Sequence, residues 1–323
     1  MAGGFDRRAI PAAASEGFWT ARDGHRVRRI DWPGRTSEGH PPRGSLLLMP
    51  GRGDHYEKYL ETLEHWHREG WRVTAADWRW QAGSGRHTDD PMAGDVSDFS
   101  VWVNDLADFW EDWSGEAPGP RVIVGHSMGG HLVLRALVEQ RIDPAAAVLS
   151  APMLGFIAPF PPAVGHAVAR LMCRIGDPAR PAWKWSEKPG ATPARRAQLL
   201  THDAERYADE QWWRENRPEV AMGAGTWRWV ERAYASMRVI FAPGALEAVD
   251  TPILILAARH DGLVQFKAIE RAARRLPRAQ LMTWGREAYH ELFREEDAVR
   301  SRAIAIADDF LDRMAPPEAA PAS

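Results

Sequence analysis

Residues 121–137, RVIVGHSMGGHLVLRAL, constrain the fold of this chain more than any other stretch. The first residues are mainly apolar, as in a buried strand, and those after Ser127 have the apolar spacing of a helix. Between the two lies Gly125-His126-Ser127-Met128-Gly129, which matches the pattern Gly-x-Ser-x-Gly. A serine at such a turn has a strained backbone that presents its hydroxyl, and the crowded turn needs glycine on both sides. The segment predicts a nucleophile elbow at Ser127, with Gly125 and Gly129 providing the space.

A serine hydroxyl needs a base to take its proton and an acid to orient that base. In this architecture the chain order is serine, then an acid, then histidine. Asp261 directly follows the apolar run ILILAARH, and His290 follows the strand-like AQLMTW. Taken singly, Ser127 also fits an ordinary glycine-rich turn, Asp261 a turn and His290 a helix cap. Their order and their positions at strand ends predict a catalytic triad of Ser127, Asp261 and His290.

The negative charge that develops on a substrate oxygen during acyl transfer needs hydrogen-bond donors already aimed at it. The backbone N–H of Met128, directly after the nucleophile, is predicted as one donor. The glycine-rich loop after the strand GSLLLM predicts the N–H of Arg52 as the other, although Gly51 and Gly53 also fit a simple turn. The side chain of Arg52, if it lies beside the site, would favour an anionic group on the substrate.

Strand-like and helix-like segments alternate along most of the chain, which predicts an α/β protein with a mostly parallel sheet and helices on both faces. The alternation starts with a hairpin around Asp23-Gly24 and stops in a segment rich in Pro, Trp and Arg. We therefore expect a core in two parts, a helical cap inserted between them and a disordered tail. The predicted ranges are 1–154 and 246–314 for the core, 155–245 for the cap and 315–323 for the tail.

Composition excludes several classes of protein. The net charge of −3 in 323 residues gives no reason to expect nucleic acid or an anionic membrane as a partner. Cys173 is the only cysteine, so no internal disulfide or cysteine-based zinc site is expected. We find no stretch long and apolar enough to span a membrane and no secretory signal, which predicts a cytoplasmic protein. The sequence shows no phosphate loop, dinucleotide fingerprint or metal-ligand spacing, so no cofactor and no metal are expected. It does not indicate the oligomeric state.

Taken together, these motifs resemble the α/β-hydrolase superfamily. The resemblance is strongest to its bacterial lysophospholipase and monoacylglycerol lipase branch, also called serine aminopeptidase-like, over residues 17–314. It is carried by PGRGDHYEKY, TAADWRWQAGSGR, VGHSMGGHLVLRAL, AVLSAPMLG, LLTHDAERY, NRPEVAMGAGTWRWV and RHDGLV. Two positions depart from the pattern of the branch, because Pro50 replaces a usual histidine and Trp80 replaces a common glycine.

The resemblance implies an α/β-hydrolase fold and a serine ester hydrolase that cleaves a small acyl ester, of the lysophospholipid or monoacylglycerol type, through an acyl-enzyme on Ser127. Aromatic residues of the cap, Phe156, Trp183 and Trp227, are candidates for the wall of an acyl-chain pocket, although they also fit the core of the cap. The sequence does not decide whether the cap contacts a membrane surface, and a transient contact of that kind stays open. Two alternatives stay open at this point: an aminopeptidase-like amide hydrolase with the same triad, and a non-catalytic binding protein with this fold.

Overall fold

The protein is described by a computed structural model that covers residues 5–34, 42–183 and 193–317. One sheet of eight strands runs through it, in the spatial order β1-β2-β4-β3-β5-β6-β7-β8. The strands are β1 (Ser15–Thr20), β2 (Arg26–Trp32), β3 (Gly44–Met49), β4 (Trp71–Ala76), β5 (Arg121–His126), β6 (Ala146–Ser150), β7 (Ile253–Ala258) and β8 (Ala279–Trp284). The hairpin of β1 and β2 is antiparallel and joins β4 in antiparallel register, whereas every other neighbouring pair is parallel. The predicted hairpin and mostly parallel sheet are confirmed.

The helices account for the remaining regular structure of the described residues. They are α1 (Leu60–Arg68), α2 (Phe99–Glu116), α3 (Met128–Val138), α4 (Pro162–Arg174), α5 (Pro193–Leu200), α6 (Ala204–Asn216), α7 (Trp227–Ile240), α8 (Phe266–Arg275) and α9 (Asp297–Met314). Short 3-10 turns cover Tyr56–Tyr59, Pro218–Val220 and Leu292–Arg294. None of the helices within these ranges is both long enough and apolar enough to cross a bilayer.

The sheet separates two hydrophobic cores because successive side chains of a strand point to opposite faces. In β3, Leu47 packs into the core formed with α2, α3 and α8, whereas Leu46 and Leu48 pack into the core formed with α1 and α9. All three leucines are buried. A strand that is buried on both faces has a continuous apolar sequence, which explains why the parallel strands were recognisable in the sequence.

Between β6 and β7, the described part of the chain forms helices α4 to α7 and contributes no strand to the sheet. Thr226 caps α7, since its hydroxyl accepts a hydrogen bond from the N–H of Trp229. Trp229 and Tyr234 on α7 belong to the same core as α2 and α3, so α7 rests directly on the sheet domain. We call residues 155–245 the cap, and its limits stay a prediction.

One helix begins later than predicted. The sequence pattern predicts a last helix from about Glu291, whereas α9 begins at Asp297 after the 3-10 turn Leu292–Arg294. The N–H of Glu291 donates to the carbonyl of Leu200, a tertiary contact that holds this stretch outside the helix. Residues 318–323 of the predicted disordered tail lie outside the described residues.

Candidate active site

Ser127 lies at the turn between β5 and α3, at the carboxyl edge of the sheet. Its backbone has φ 52° and ψ −114°, a combination that costs free energy for any residue other than glycine. The conformation is held by three backbone hydrogen bonds: the N–H of Ser127 donates to Ser150, and its carbonyl accepts from His131 and Met153. The serine side chain does not cap α3 and is half-buried, so its hydroxyl is left for other contacts.

The glycines on either side of Ser127 lie against backbone. A Cβ atom at Gly129 would come within 2.3 Å of the carbonyl oxygen of Met49, at the end of β3. A Cβ atom at Gly125 would lie 2.8 Å from the Cα and the backbone nitrogen of Gly130. Neither obstacle is a flexible side chain that could move aside. Glycine is required at these two positions because α3 starts in close contact with β3 and β5.

Asp261 and His290 are brought together by the loops that follow β7 and β8. Oδ2 of Asp261 lies 2.7 Å from Nδ1 of His290. The other carboxylate oxygen, Oδ1, accepts the N–H groups of Leu263 at 2.7 Å and Val264 at 3.0 Å. Both side chains are buried. Since the acid is held by its own loop and by the imidazole, it fixes the orientation of the His290 ring.

This contact shifts the pKa of both residues. Burial alone lowers the pKa of His290, but the charge of Asp261 and the hydrogen bond to it outweigh burial, so the pKa is raised. Burial alone raises the pKa of Asp261, but the charge and hydrogen bond of His290, with the two N–H groups of its loop, lower it overall. The pair therefore favours an ionised carboxylate beside an imidazole that readily takes a proton.

The His290 ring reaches the elbow through His126, the residue before Ser127. The two rings meet edge to face with their centroids 4.8 Å apart. Burial, followed by the charge of His290, lowers the pKa of His126 to about 4, so this ring is neutral near neutral pH. The structure thus brings Asp261 and His290 into hydrogen-bond contact and places His290 against the neighbour of Ser127.

The loop after β3 lies against the elbow. A Cβ atom at Gly51 would lie 3.2 Å from Cβ of Ser127. The N–H of Gly51 donates to Asp54 at 3.1 Å, and that of Gly53 donates to Gln81 at 2.8 Å. These two bonds shape the loop around Arg52. The Met128 backbone, predicted as the other donor, opens helix α3 directly after Ser127.

The Arg52 side chain extends from this loop towards the cap. Nη2 of Arg52 donates to the carbonyl of Gly223 at 2.7 Å. Its guanidinium carbon lies 5.2 Å from the ring centre of Trp183 and 5.1 Å from that of Trp229. The side chain of Arg52 thus connects the loop after β3 to two cap segments through a hydrogen bond and cation–π contacts.

The three aromatic candidates of the cap have different surroundings. Phe156 is half-buried and packs against Trp229 and Tyr234, with ring centroids 5.9 and 5.1 Å away. Trp183 is 37% exposed and packs edge-on against Trp229. Trp227 is half-buried at the start of α7. Packing within the cap therefore accounts for much of the Phe156 surface, and a role of these residues in substrate binding stays a prediction.

The structure shows the surroundings of Pro50 and Trp80, the two residues that depart from the expected pattern. Trp80 has φ 63°, a left-handed conformation that glycine adopts without cost, and its ring packs against His87. Pro50 contributes only its carbonyl, which accepts a hydrogen bond from the indole N–H of Trp78 at 2.8 Å. Replacing histidine by proline at this position therefore leaves the loop connected to the neighbouring segment.

A buried charge cluster beside the site was missed in the sequence. Nζ of Lys58 is completely buried and lies 2.5 Å from Asp54, 2.7 Å from Glu291 and 3.0 Å from Glu210. Arg294 pairs with Glu210 and Glu291 in the same cluster. Burial alone lowers the pKa of Lys58, but the three carboxylates raise it overall, so the ammonium is charged.

The cluster joins three parts of the molecule. Asp54 belongs to the loop after β3, Glu291 follows His290, and Glu210 lies on α6 of the cap. Only the spacing of Asp54 and Lys58, four residues apart, was visible in the sequence, and it is common on solvated helices. Ligand atoms of Asp54, His126 and Glu291 lie within 4.8 Å of one another, but the Lys58 ammonium already bonds both carboxylates. The group is therefore a buried ion-pair cluster.

Comparison with known proteins agrees with this architecture. The family model described as serine aminopeptidase, S33, matches residues 40–297. Lysophospholipase L2 of Escherichia coli K12 is 31% identical over 281 residues, covering 83% of this chain and 80% of the relative. A probable lysophospholipase L2 of Haemophilus influenzae is 26% identical over 275 residues, covering 84% of each chain.

Among solved structures, a soluble variant of monoglyceride lipase from Saccharomyces cerevisiae has a TM-score of 0.73 at 18% identity. The match covers 96% of this chain and 99% of the lipase chain. The chain belongs to the serine aminopeptidase S33 family of α/β-hydrolases, and the predicted fold class is confirmed. It is a hydrolase, which removes the non-catalytic binding protein from the alternatives that the sequence left open.

Proposed function

We propose that this protein hydrolyses carboxylic esters of lipids, of the lysophospholipid or monoacylglycerol type, through an acyl-enzyme on Ser127. The observation that carries the proposal is the 2.7 Å contact between Asp261 and His290 beside the strained turn at Ser127. The names of the relatives, two lysophospholipases and a monoglyceride lipase, support the substrate class.

In the proposed reaction, Nδ1–H of His290 donates to Asp261, which leaves Nε2 as the base. Nε2 takes the proton of the Ser127 hydroxyl while the serine oxygen attacks the ester carbonyl carbon. The tetrahedral intermediate collapses, the C–O bond to the alcohol breaks, and the imidazolium returns the proton to the departing alkoxide. Water then attacks the acyl-enzyme by the same route and releases the carboxylic acid and Ser127.

The N–H groups of Met128 and Arg52 are the proposed donors to the oxyanion. Two structural features support this assignment: Met128 begins helix α3, whose N-terminal end favours negative charge, and the Arg52 loop adjoins Ser127. Apolar side chains of the cap, including Phe156, Trp183 and Trp227, are the proposed contacts of the acyl chain.

The test combines labelling with turnover. A fluorophosphonate probe is expected to label the wild-type protein once per chain and to leave Ser127→Ala unlabelled. Hydrolysis of p-nitrophenyl esters is expected to fall by about 10⁴-fold or more in Ser127→Ala, since the nucleophile is gone. Ser301→Ala removes an exposed hydroxyl on α9 and is the matched control. Labelling of folded Ser127→Ala, or full activity in it, would refute the mechanism.

An amide hydrolase with the same triad is the second candidate, because the matching family is described as a serine aminopeptidase. A panel of lysophospholipids, monoacylglycerols and aminoacyl amides separates the two. We expect kcat/KM to be highest for the lipid esters, and a preference for aminoacyl amides would overturn the proposed substrate class while leaving the triad in place.

A further inference from the structure

Exposed apolar side chains are concentrated in one part of the cap. Among the described residues, ten large hydrophobic side chains are exposed, and seven of them lie between Ile157 and Trp183. Soluble proteins normally scatter such residues singly, and a contiguous group marks a surface that binds something. The residues at the centre of this group are on helix α4 and at its end.

Helix α4 packs onto the cap through its small and polar residues. Gly165, His166 and Ala169 are its buried residues. A Cβ atom at Gly165 would lie 2.4 Å from the hydroxyl oxygen of Tyr234, and Nε2 of His166 lies 2.9 Å from a carboxylate oxygen of Glu231. The helix is thus held against α7 by a close approach at Gly165 and a hydrogen bond at His166.

Its large apolar residues face the other way. Val164, Val168, Leu171 and Ile175 follow one another at intervals of three or four residues, so they form one stripe along the helix. Their exposed fractions are 47%, 39%, 54% and 57%. A helix that only completed the cap would bury these four side chains and expose its small and polar ones. In α4 these four apolar side chains are exposed instead.

Both charged side chains of helix α4 are positive. They are Arg170 and Arg174, and the nearest acidic residue along the chain is the exposed Asp177, two residues after Ile175. Both arginines are exposed in the second half of α4, close to Leu171 and Ile175. An apolar stripe with cations at its side matches the interfacial layer of a bilayer, where apolar side chains reach the acyl chains and cations meet lipid phosphates.

The same segment adjoins the candidate active site. Phe156 forms a backbone bridge with Val264, and the N–H of Val264 donates to Oδ1 of Asp261. A surface bound through α4 would therefore lie next to the loops that carry the proposed triad. We propose that α4, with its stripe of Val164, Val168, Leu171 and Ile175 and its two arginines, docks this protein on bilayers that contain anionic phospholipids. The choice of a lipid surface over a protein partner rests on the proposed function.

The test measures binding to vesicles of phosphatidylcholine with and without phosphatidylglycerol. The wild-type chain is expected to sediment with the anionic vesicles and to be released by salt. Val168→Gln/Leu171→Gln keeps residues with good helix propensity on α4 and is expected to lower the bound fraction about tenfold or more. Phe18→Gln/Val239→Gln removes two exposed apolar residues outside the stripe and is expected to bind as the wild type does.

A second variant keeps the test decisive if the first one unfolds. Arg170→Gln/Arg174→Gln leaves the stripe unchanged and is expected to remove the preference for anionic vesicles. Each variant is also assayed on a water-soluble p-nitrophenyl ester, whose hydrolysis is expected to stay at the wild-type rate. Absent ester hydrolysis by the wild type would count against the proposed function, whereas vesicle binding reports on docking alone.

Three results would overturn the docking proposal. The first is failure of the wild-type chain to bind anionic vesicles. The second is wild-type binding by folded Val168→Gln/Leu171→Gln, and the third is an unchanged preference for anionic vesicles in Arg170→Gln/Arg174→Gln. The other possible occupant of the stripe is a second copy of this chain, and light scattering tests for it. A wild-type dimer that becomes monomeric in Val168→Gln/Leu171→Gln would show that the stripe binds a second copy of this chain.

Discussion

The ring of His126 packs edge to face against the ring of His290, with 4.8 Å between their centroids. His126 ends β5, and His290 lies in the loop after β8, so the contact connects the elbow strand with the edge strand of the sheet. His126 is neutral near neutral pH because its pKa is lowered to about 4, first by burial and then by the charge of His290. In the proposed mechanism, proton transfer at His290 would therefore proceed beside an uncharged neighbour.

Replacing Asp261 by asparagine removes the charge that raises the pKa of His290 and allows the wrong imidazole tautomer. We expect kcat/KM for p-nitrophenyl esters to fall by about 10⁴-fold with little change in Tm, as is typical for the acid of a serine triad. Asp250→Asn is the control, because Asp250 is exposed and precedes β7 rather than following it. Activity of Asp261→Asn within tenfold of the wild type would contradict the assignment.

The pH dependence of activity is expected to follow His290. The proposed base must be neutral, and its pKa is raised above the ordinary 6.5, so kcat/KM should fall as the pH drops through a midpoint above 6.5. In Asp261→Asn the midpoint of the residual activity should move to lower pH, since the main cause of the increase is gone. The measurement is kcat/KM against pH with an uncharged ester. A wild-type midpoint at or below 6.5 would disagree with this assignment of the base.

Removing the buried ammonium of Lys58 should destabilise the protein strongly. In Lys58→Met, Asp54, Glu210 and Glu291 lose a shared cation in a site without solvent. We expect the free energy of unfolding, measured with urea, to fall by about 3–5 kcal/mol. The control is Lys267→Met, because Lys267 is exposed on α8 and should change stability by less than about 0.5 kcal/mol. Equal stability of the two variants would show that the cluster tolerates the loss of its central charge.

Gly129→Ala tests the steric requirement at the elbow. The added Cβ would lie 2.3 Å from the Met49 carbonyl, so α3 or β3 must shift, and we expect a lower Tm together with a loss of ester hydrolysis. Gly115→Ala is the matched change. Nothing lies within 4 Å of a Cβ at Gly115, near the end of α2, so alanine should stabilise the protein by about 0.4–1 kcal/mol. A Gly129→Ala variant with wild-type stability and activity would contradict the close contact.

The strands, most helices and the residues at strand ends were predictable because they depend on local periodicity. Buried parallel strands read as apolar runs, and the carboxyl ends of such strands meet at one edge, so Ser127, Asp261 and His290 were candidates before any contact was known. The late start of α9 was not predictable, because it depends on the tertiary hydrogen bond between Glu291 and Leu200. The identity of the obstacles around Gly125 and Gly129 likewise required the packed helix.

Local sequence was enough to predict the order of the elements, the turn at Ser127 and the interruption of the alternation by the cap, since each of these depends on residues close together in the chain. Tertiary packing was needed to show that Lys58 joins Asp54, Glu210 and Glu291, and that α4 exposes its apolar stripe. The same cause applies to the lysine and to the helix. A lysine four residues after an aspartate, and an apolar helical stripe, look alike in sequence whether they are buried or exposed, and burial is set by the elements that pack around them.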